Sequence, residues 1–81
     1  MSEQEILDKM RELLAEFEVA PDDVTMDAEF EALGLDSLDL VELSVKVEDE
    51  FGLEIEEDDL KEVVTVGDAV RLVVTKRSVT A

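Results

Sequence analysis

The sequence predicts an all-α fold, a small bundle of three main helices and one short helix. Three segments repeat apolar residues at the three- and four-residue spacing of one helix face. Each segment follows a residue type that caps helix N-termini. The alternation around Leu53 and Ile55 is too short to predict a strand. A chain of 81 residues therefore forms one domain with a small, mainly aliphatic core.

The first predicted helix starts after Ser2 and ends near Phe17. Ser2 followed three residues later by Glu5 is a capping box. Pro21 marks the break that follows. Residues 24–35 show no sustained period, so we expect a long loop anchored by its own apolar side chains. These anchors are Val24, Met26, Phe30 and Leu33.

The second predicted helix runs from Ser37 to Glu50. Gly34 permits the turn before it, and Asp36 is a good N-cap because its carboxylate can accept N–H bonds from the first turn. Gly52 is the expected stop. Ser37 therefore stands at the start of a long helix.

The remaining chain predicts a short helix over residues 57–62 and a final helix that begins after Thr65. Thr65 with Asp68 three residues later is a second capping signal. We expect the domain to span residues 1–77 and the tail 78–81 to fray.

The second helix carries two apolar stripes on nearly opposite sides. A domain this small buries one of them, so the other is expected to meet water beside Ser37 with carboxylates around it, as a docking face does. Alternatively, Val41 and Val45 pack beneath the loop 24–35 and both stripes are core. The inner stripe comprises Leu40, Leu43, Val47 and Phe51, and the outer stripe comprises Leu38, Val41 and Val45.

A net charge of −17, from 24 acidic and seven basic residues, argues against nucleic acid and anionic membranes as partners and favours basic protein surfaces. An acidic mimic of nucleic acid is an alternative that explains the charge alone. Without Cys or His the usual zinc and haem ligands are missing, and the acidic pairs do not follow an EF-hand loop, so no metal site is predicted. The chain shows no apolar run of membrane-spanning length and no signal peptide, which predicts a cytoplasmic protein without membrane insertion.

Ser37 alone predicts little, because serine is common at helix starts and no histidine or nearby lysine could activate it as a nucleophile. The acidic residues lack a cleft in which to act as general acid and base. We therefore predict no enzymatic activity for the isolated domain.

The segment Leu33-Gly34-Leu35-Asp36-Ser37-Leu38-Asp39-Leu40-Val41-Glu42-Leu43 resembles the signature of acyl carrier proteins. The similarity extends over nearly the whole chain, including residues 48–55 and 65–70. Two positions depart from the family pattern: Ala32 stands where many members carry an acid, and Glu56 replaces a common proline.

The resemblance implies an acyl-carrier-like fold with 4'-phosphopantetheine esterified to Ser37, between Asp36 and Leu38. It implies a monomer whose partners are a phosphopantetheinyl transferase and acyl-transferase and ketosynthase-type enzymes with basic surfaces. The implied recognition residues are Leu38, Asp39, Val41, Glu42, Val45, Glu48 and Asp49. The implied lining of an acyl-chain cavity is Leu43, Val47, Phe51, Ile55 and Val63.

The function implied is the presentation of acyl thioesters to the enzymes of fatty acid biosynthesis. Polyketide or specialised lipid synthesis is the alternative. Peptidyl or D-alanyl carriers use the same serine, but peptidyl carriers more often have a second glycine where Leu35 stands here.

Overall fold

The computed structural model describes residues 2–80, with side chains through Arg77, and over this range the chain forms four α-helices. This confirms the predicted all-α fold. The helices are α1 (Glu3–Ala15), α2 (Ser37–Phe51), α3 (Glu57–Lys61) and α4 (Val66–Thr80), with a single 3-10 turn at Pro21–Asp23 between α1 and α2.

Helix α1 begins with the predicted capping box, in which the Ser2 hydroxyl accepts the Glu5 N–H bond and the Glu5 carboxylate faces the Ser2 N–H. Its last α-helical residue is Ala15, two residues before the predicted end near Phe17. Residues 16–18 continue as a turn in which each N–H bonds to the carbonyl three residues back, and Glu18 then adopts a left-handed backbone with φ of 65°. The chain then turns back, and the Val19 N–H donates to the Leu14 carbonyl at 3.2 Å. The end of α1 thus depends on one backbone conformation that its side-chain pattern does not reveal.

The long loop before α2 is held against the start of α4. The Phe30 N–H donates to the Val64 carbonyl at 3.0 Å, and the Gly67 N–H donates to the Met26 carbonyl at 2.9 Å. A Cβ atom at position 67 would lie 2.7 Å from the Met26 carbonyl oxygen, so this approach requires glycine. Of the four predicted loop anchors, Val24 and Phe30 are buried, whereas Met26 and Leu33 are half-buried. The loop is therefore a fixed support for the residues that precede α2.

Helix α2 ends at Phe51, one residue beyond the prediction, and Gly52 takes the expected left-handed conformation with φ of 65°. Its N–H donates to the Glu48 carbonyl at 2.9 Å. Helix α3 then begins at Glu57, and the Glu56 N–H donates to the Asp59 carboxylate at 2.9 Å. Glu56, in place of the family's common proline, is thus compatible with a capped short helix.

Helix α4 begins with the predicted cap, because the Thr65 hydroxyl accepts the Asp68 N–H bond and the Asp68 carboxylate accepts the Thr65 N–H bond, both at 3.1 Å. The helix continues to Thr80, beyond the domain end predicted at residue 77. The predicted fraying of the tail stays a prediction, and Ala81 lies outside the described residues.

The core lies between α1, α2 and α4 and includes the inner stripe of α2. Leu43, Val47 and Phe51 are buried, and Leu40 packs against them half-buried. The outer stripe is exposed, with 49% of Val41 and 54% of Val45 accessible. The alternative that Val41 and Val45 pack beneath the loop is therefore wrong. The other buried apolar residues are Ile6, Leu7, Met10, Leu14, Val19, Val24, Phe30, Leu35, Leu53, Val66, Ala69, Val70 and Val73.

Candidate functional site

Ser37 is the first residue of α2, and its side chain is exposed. The cap of this helix is Asp36, whose carboxylate accepts the Asp39 N–H bond at 2.9 Å. The Asp39 carboxylate in turn accepts the Asp36 N–H bond at 3.2 Å. The prediction that Asp36 caps the helix is confirmed. Because the cap does not use the Ser37 hydroxyl, that group can be modified without disrupting the helix start.

The turn before Ser37 is rigidly placed. Gly34 has φ of 84°, in the left-handed region that glycine adopts without strain. Leu35 is buried, and its N–H donates to the Phe30 carbonyl at 3.1 Å. Since the Phe30 N–H is itself bonded to the Val64 carbonyl, the position of Ser37 is tied to the segment before α4.

A groove of about 430 Å³ opens beside Ser37. It shares Phe30, Leu40 and Val63 with a small interior space between the helices. The groove therefore leads from the serine hydroxyl toward the core. Its full lining is Phe30, Glu31, Leu35, Asp36, Ser37, Leu40, Val63 and Val64.

The interior space has a volume of about 20 Å³, room for about one water molecule, so it holds no acyl chain in this conformation. Of the five residues predicted to line a cavity, four line this space, whereas Phe51 is buried but does not line it. Entry of a chain requires the surrounding helices to separate. The lining is Met10, Phe30, Leu40, Leu43, Ser44, Val47, Ile55, Leu60, Val63, Ala69 and Val73.

Ser44 is the polar member of this lining. It is buried, and its hydroxyl donates to the Val41 carbonyl at 2.6 Å. A buried hydroxyl with its donor already used adds little polarity to the space around it. The interior therefore presents an apolar surface to any guest.

The outer stripe forms an exposed apolar surface next to Ser37, because Leu38 is 74% accessible and Val41 and Val45 are about half accessible. We call Leu38, Val41 and Val45, with the exposed carboxylates of Glu42 and Asp49, the docking face. An apolar centre with charges at its margin is the usual composition of a protein interface.

Two further carboxylates predicted for recognition form hydrogen bonds within the domain. Asp39 is half-buried and completes the α2 capping box. Glu48 is half-buried, and its carboxylate accepts the Ile55 N–H bond at 3.0 Å, which ties α2 to the segment before α3. Substitution of either residue would therefore change the fold as well as any partner contact.

The nearby cations lie toward α1. Lys46 of α2 pairs with Glu16 at 3.1 Å, and Lys9 of α1 pairs with Glu50 at 3.1 Å. The hydrogen bond to Glu50 raises the pKa of Lys9, with Glu12 adding to it. Both lysines pair with carboxylates between α1 and α2. The charged members of the docking face, Glu42 and Asp49, are both negative.

Sequence reasoning missed Val64, which is 55% exposed and lines the groove beside Ser37. The signal available was the pair Val63-Val64 just before the cap Thr65: one of two adjacent apolar residues in an extended segment must face outward. It also missed Phe30 and Leu40 as groove residues.

Within residues 2–80, no group of three or more acidic side chains is arranged to hold a metal ion. In that same range, none of the helices combines the length and apolar character needed to cross a membrane.

Comparison with known proteins agrees with this geometry. Residues 5–73 match the family described as the phosphopantetheine attachment site. An acyl carrier protein from Lactobacillus acidophilus is 49% identical over 72 residues, which cover 86% of this chain and 90% of that protein. One from Sulfurovum sp. is 41% identical over 70 residues, covering 84% of this chain and 93% of that protein. The crystal structure of an acyl carrier protein from Thermotoga maritima superposes with a TM-score of 0.90 at 28% identity, covering 100% of this chain and 96% of that one.

The family match covers most of the chain, and the structural likeness covers all of it. Members of this family are carriers rather than catalysts, use 4'-phosphopantetheine as their prosthetic group, and interact with a phosphopantetheinyl transferase and with biosynthetic enzymes. The chain therefore belongs to the acyl carrier proteins.

Proposed function

We propose that Ser37 is the residue to which phosphopantetheine is attached, and that the protein presents acyl intermediates to the enzymes of fatty acid biosynthesis. The observation that carries this proposal is the position of Ser37. Its side chain is exposed at the first position of α2 and lies on a groove that shares three residues with the apolar interior.

The residues around Ser37 fit an esterified arm. A phosphodiester there lies beside the N–H groups of Ser37 and Leu38, which have no acceptor within the helix. Asp36 and Asp39 already occupy this helix end, so their charges offset much of the dipole's attraction for a further anion. The terminal thiol of the arm supplies the thioester chemistry that this chain, without cysteine, cannot provide.

The docking face supports recognition by enzymes with basic surfaces around their active sites. Its carboxylates steer such partners toward Ser37, and its apolar centre supplies contact once they meet. Two copies of this face would bring like charges together, which supports a monomer. We place this monomer in the cytoplasm.

The apolar interior supports fatty acyl groups as cargo rather than peptidyl or D-alanyl groups. The polar lining residue, Ser44, already donates its hydroxyl hydrogen to the Val41 carbonyl. An amino group or several carbonyls on the cargo would lose their hydrogen bonds to water on entry and find few partners. A hydrocarbon chain loses none.

Incubation of the unmodified protein with coenzyme A, magnesium and a broad-specificity phosphopantetheinyl transferase tests the attachment residue. We expect the intact mass to rise by one arm, and peptide mapping to place that arm on Ser37. Ser37→Ala should abolish the addition and keep its helical circular dichroism, because Asp36 caps α2. Ser44→Ala is the matched control on the same helix, and it should load fully.

Loading of Ser37→Ala, or failure of the native sequence to load, would contradict the assignment. The pathway needs a second measurement, in which the protein is loaded with a saturated acyl group and, separately, with a polyketone of equal length. We expect the saturated cargo to raise the melting temperature more. An equal rise would contradict the preference for fatty acyl cargo, and a larger rise with the polyketone would favour polyketide synthesis.

A further inference from the structure

Helix α3 covers the interior space but is weakly anchored by apolar contacts. It contributes no buried residue, and its Leu60 reaches the lining only as a half-buried side chain. Helices α1 and α2, by contrast, each contribute several buried side chains to the core. Because the interior space is too small for an acyl chain, an element around it must move before a chain can enter. Helix α3 should move at least cost, because it contributes no buried residue.

One carboxylate joins α3 to α4. The Asp59 Oδ2 atom accepts the Glu56 N–H bond at 2.9 Å and lies 2.9 Å from the Lys76 Nζ atom. The Asp59 and Lys76 side chains are 24% and 27% exposed, which makes theirs the least exposed of the ion pairs within the described part of the chain. Water therefore screens this pair less than the others.

Lys76 also stands among other acidic groups. Its pKa is raised first by the hydrogen bond to Asp59, and the charges of Glu56 and Glu54 add to the effect. Without this lysine, the carboxylates of Glu54, Glu56 and Asp59 would lose the cation that they share, and their mutual repulsion would be offset less. Lys76 therefore holds α3 in place by direct pairing and by neutralising the repulsion around it.

We propose that Asp59 and Lys76 form a latch that holds α3 over the interior space, and that the strength of this latch governs how readily an acyl chain enters. The latch itself is a property of the unmodified protein. Its effect on cargo rests on the proposed function, because a chain must first be loaded on Ser37.

The latch is tested first by amide hydrogen exchange in the unmodified protein. Lys76→Gln removes the cation, and Asp59→Asn removes the charge while leaving an oxygen that can still accept the Glu56 N–H bond. Lys61→Gln is the matched control. It removes the same charge from the pair of Lys61 with Asp58, which is more exposed and joins two residues of α3 itself. Lys76→Arg keeps the cation.

We expect faster exchange for the amides that hold α3 together in both latch variants, by about two- to fivefold, which is the range an ion pair of this kind supports. Lys61→Gln and Lys76→Arg should exchange as the native sequence does, and the α1 amides should not change. Equal acceleration in all helices, or none in α3, would overturn the latch. The reporting amides are Leu60, Glu62 and Val63.

The second measurement concerns cargo. Displacing α3 costs less without the latch, so acylation with a long saturated chain should raise the melting temperature more in Lys76→Gln than in the native sequence or in Lys61→Gln. Equal increments would overturn the effect on cargo even if α3 exchanges faster. Failure of the native sequence to load would instead contradict the proposed function, while the exchange result would still decide the latch.

Discussion

Phe51→Ala and Val41→Ala change the two stripes of α2 and should have opposite consequences. Phe51 is 7% exposed, so its truncation removes a large buried side chain and leaves a cavity, which costs about 3–5 kcal/mol. A domain of 81 residues holds about 4–12 kcal/mol in total. The variant should therefore lose a quarter or more of its stability.

Val41 is 49% exposed, and its truncation removes two methyl groups. Full burial of both would contribute about 1.6 kcal/mol, so half burial contributes about 0.8 kcal/mol. The higher helix propensity of alanine returns up to about 0.7 kcal/mol. We therefore expect a net loss between about 0.1 and 0.8 kcal/mol, well below the cost of Phe51→Ala.

Urea denaturation measures the stability of both variants, and steady-state kinetics with a phosphopantetheinyl transferase measures recognition. Val41→Ala should raise KM with little change in kcat, because contact with the partner is lost while the chemistry at Ser37 is untouched. The reasoning is refuted if Val41→Ala unfolds in much less urea, or if its KM equals that of the native sequence.

Glu42→Lys should also raise KM, and the penalty should shrink with added salt because exposed charges are screened; an unchanged penalty would argue against steering. Added salt or millimolar magnesium should raise the melting temperature, since a net charge of −17 repels itself, and a flat response would mean that self-repulsion does not limit stability. The N–H groups of Thr65 and then Val64 hold the pKa of Asp68 below its usual 3.8. The stability this carboxylate contributes should be complete above about pH 5 and be lost as the pH falls through the lowered pKa, and Asp68→Asn should remove this part of the acid-side fall in melting temperature.

The local features of the chain could be predicted because their causes are local. Ser2, Asp36 and Thr65 cap helices through bonds to residues three positions away, and Gly52 ends α2 through its own backbone freedom. The signature around Ser37 and the two stripes of α2 belong to the same class, because a single helix determines which side chains share a face.

The early end of α1 shows where local reasoning fails. The apolar pattern continues to Phe17, yet the α-helix ends at Ala15, and residues 16–18 form a turn that closes with Glu18 in a left-handed conformation. The bond from the Val19 N–H to the Leu14 carbonyl and the burial of Val19 accompany that turn. The apolar spacing of the sequence does not reveal this backbone turn.

The sequence by itself determined the helices, the candidate attachment serine and the division of α2 into two apolar stripes, since all of these depend on residues within about four positions of one another. Only the tertiary structure decided that Val41 and Val45 are exposed, that Glu48 bonds to Ile55, that the interior has room for only about one water molecule, and that Asp59 meets Lys76. The physical reason is that contacts between segments depend on how the helices pack. Many acidic residues in this chain could pair with each lysine, and the pattern of one segment does not say which will lie within reach.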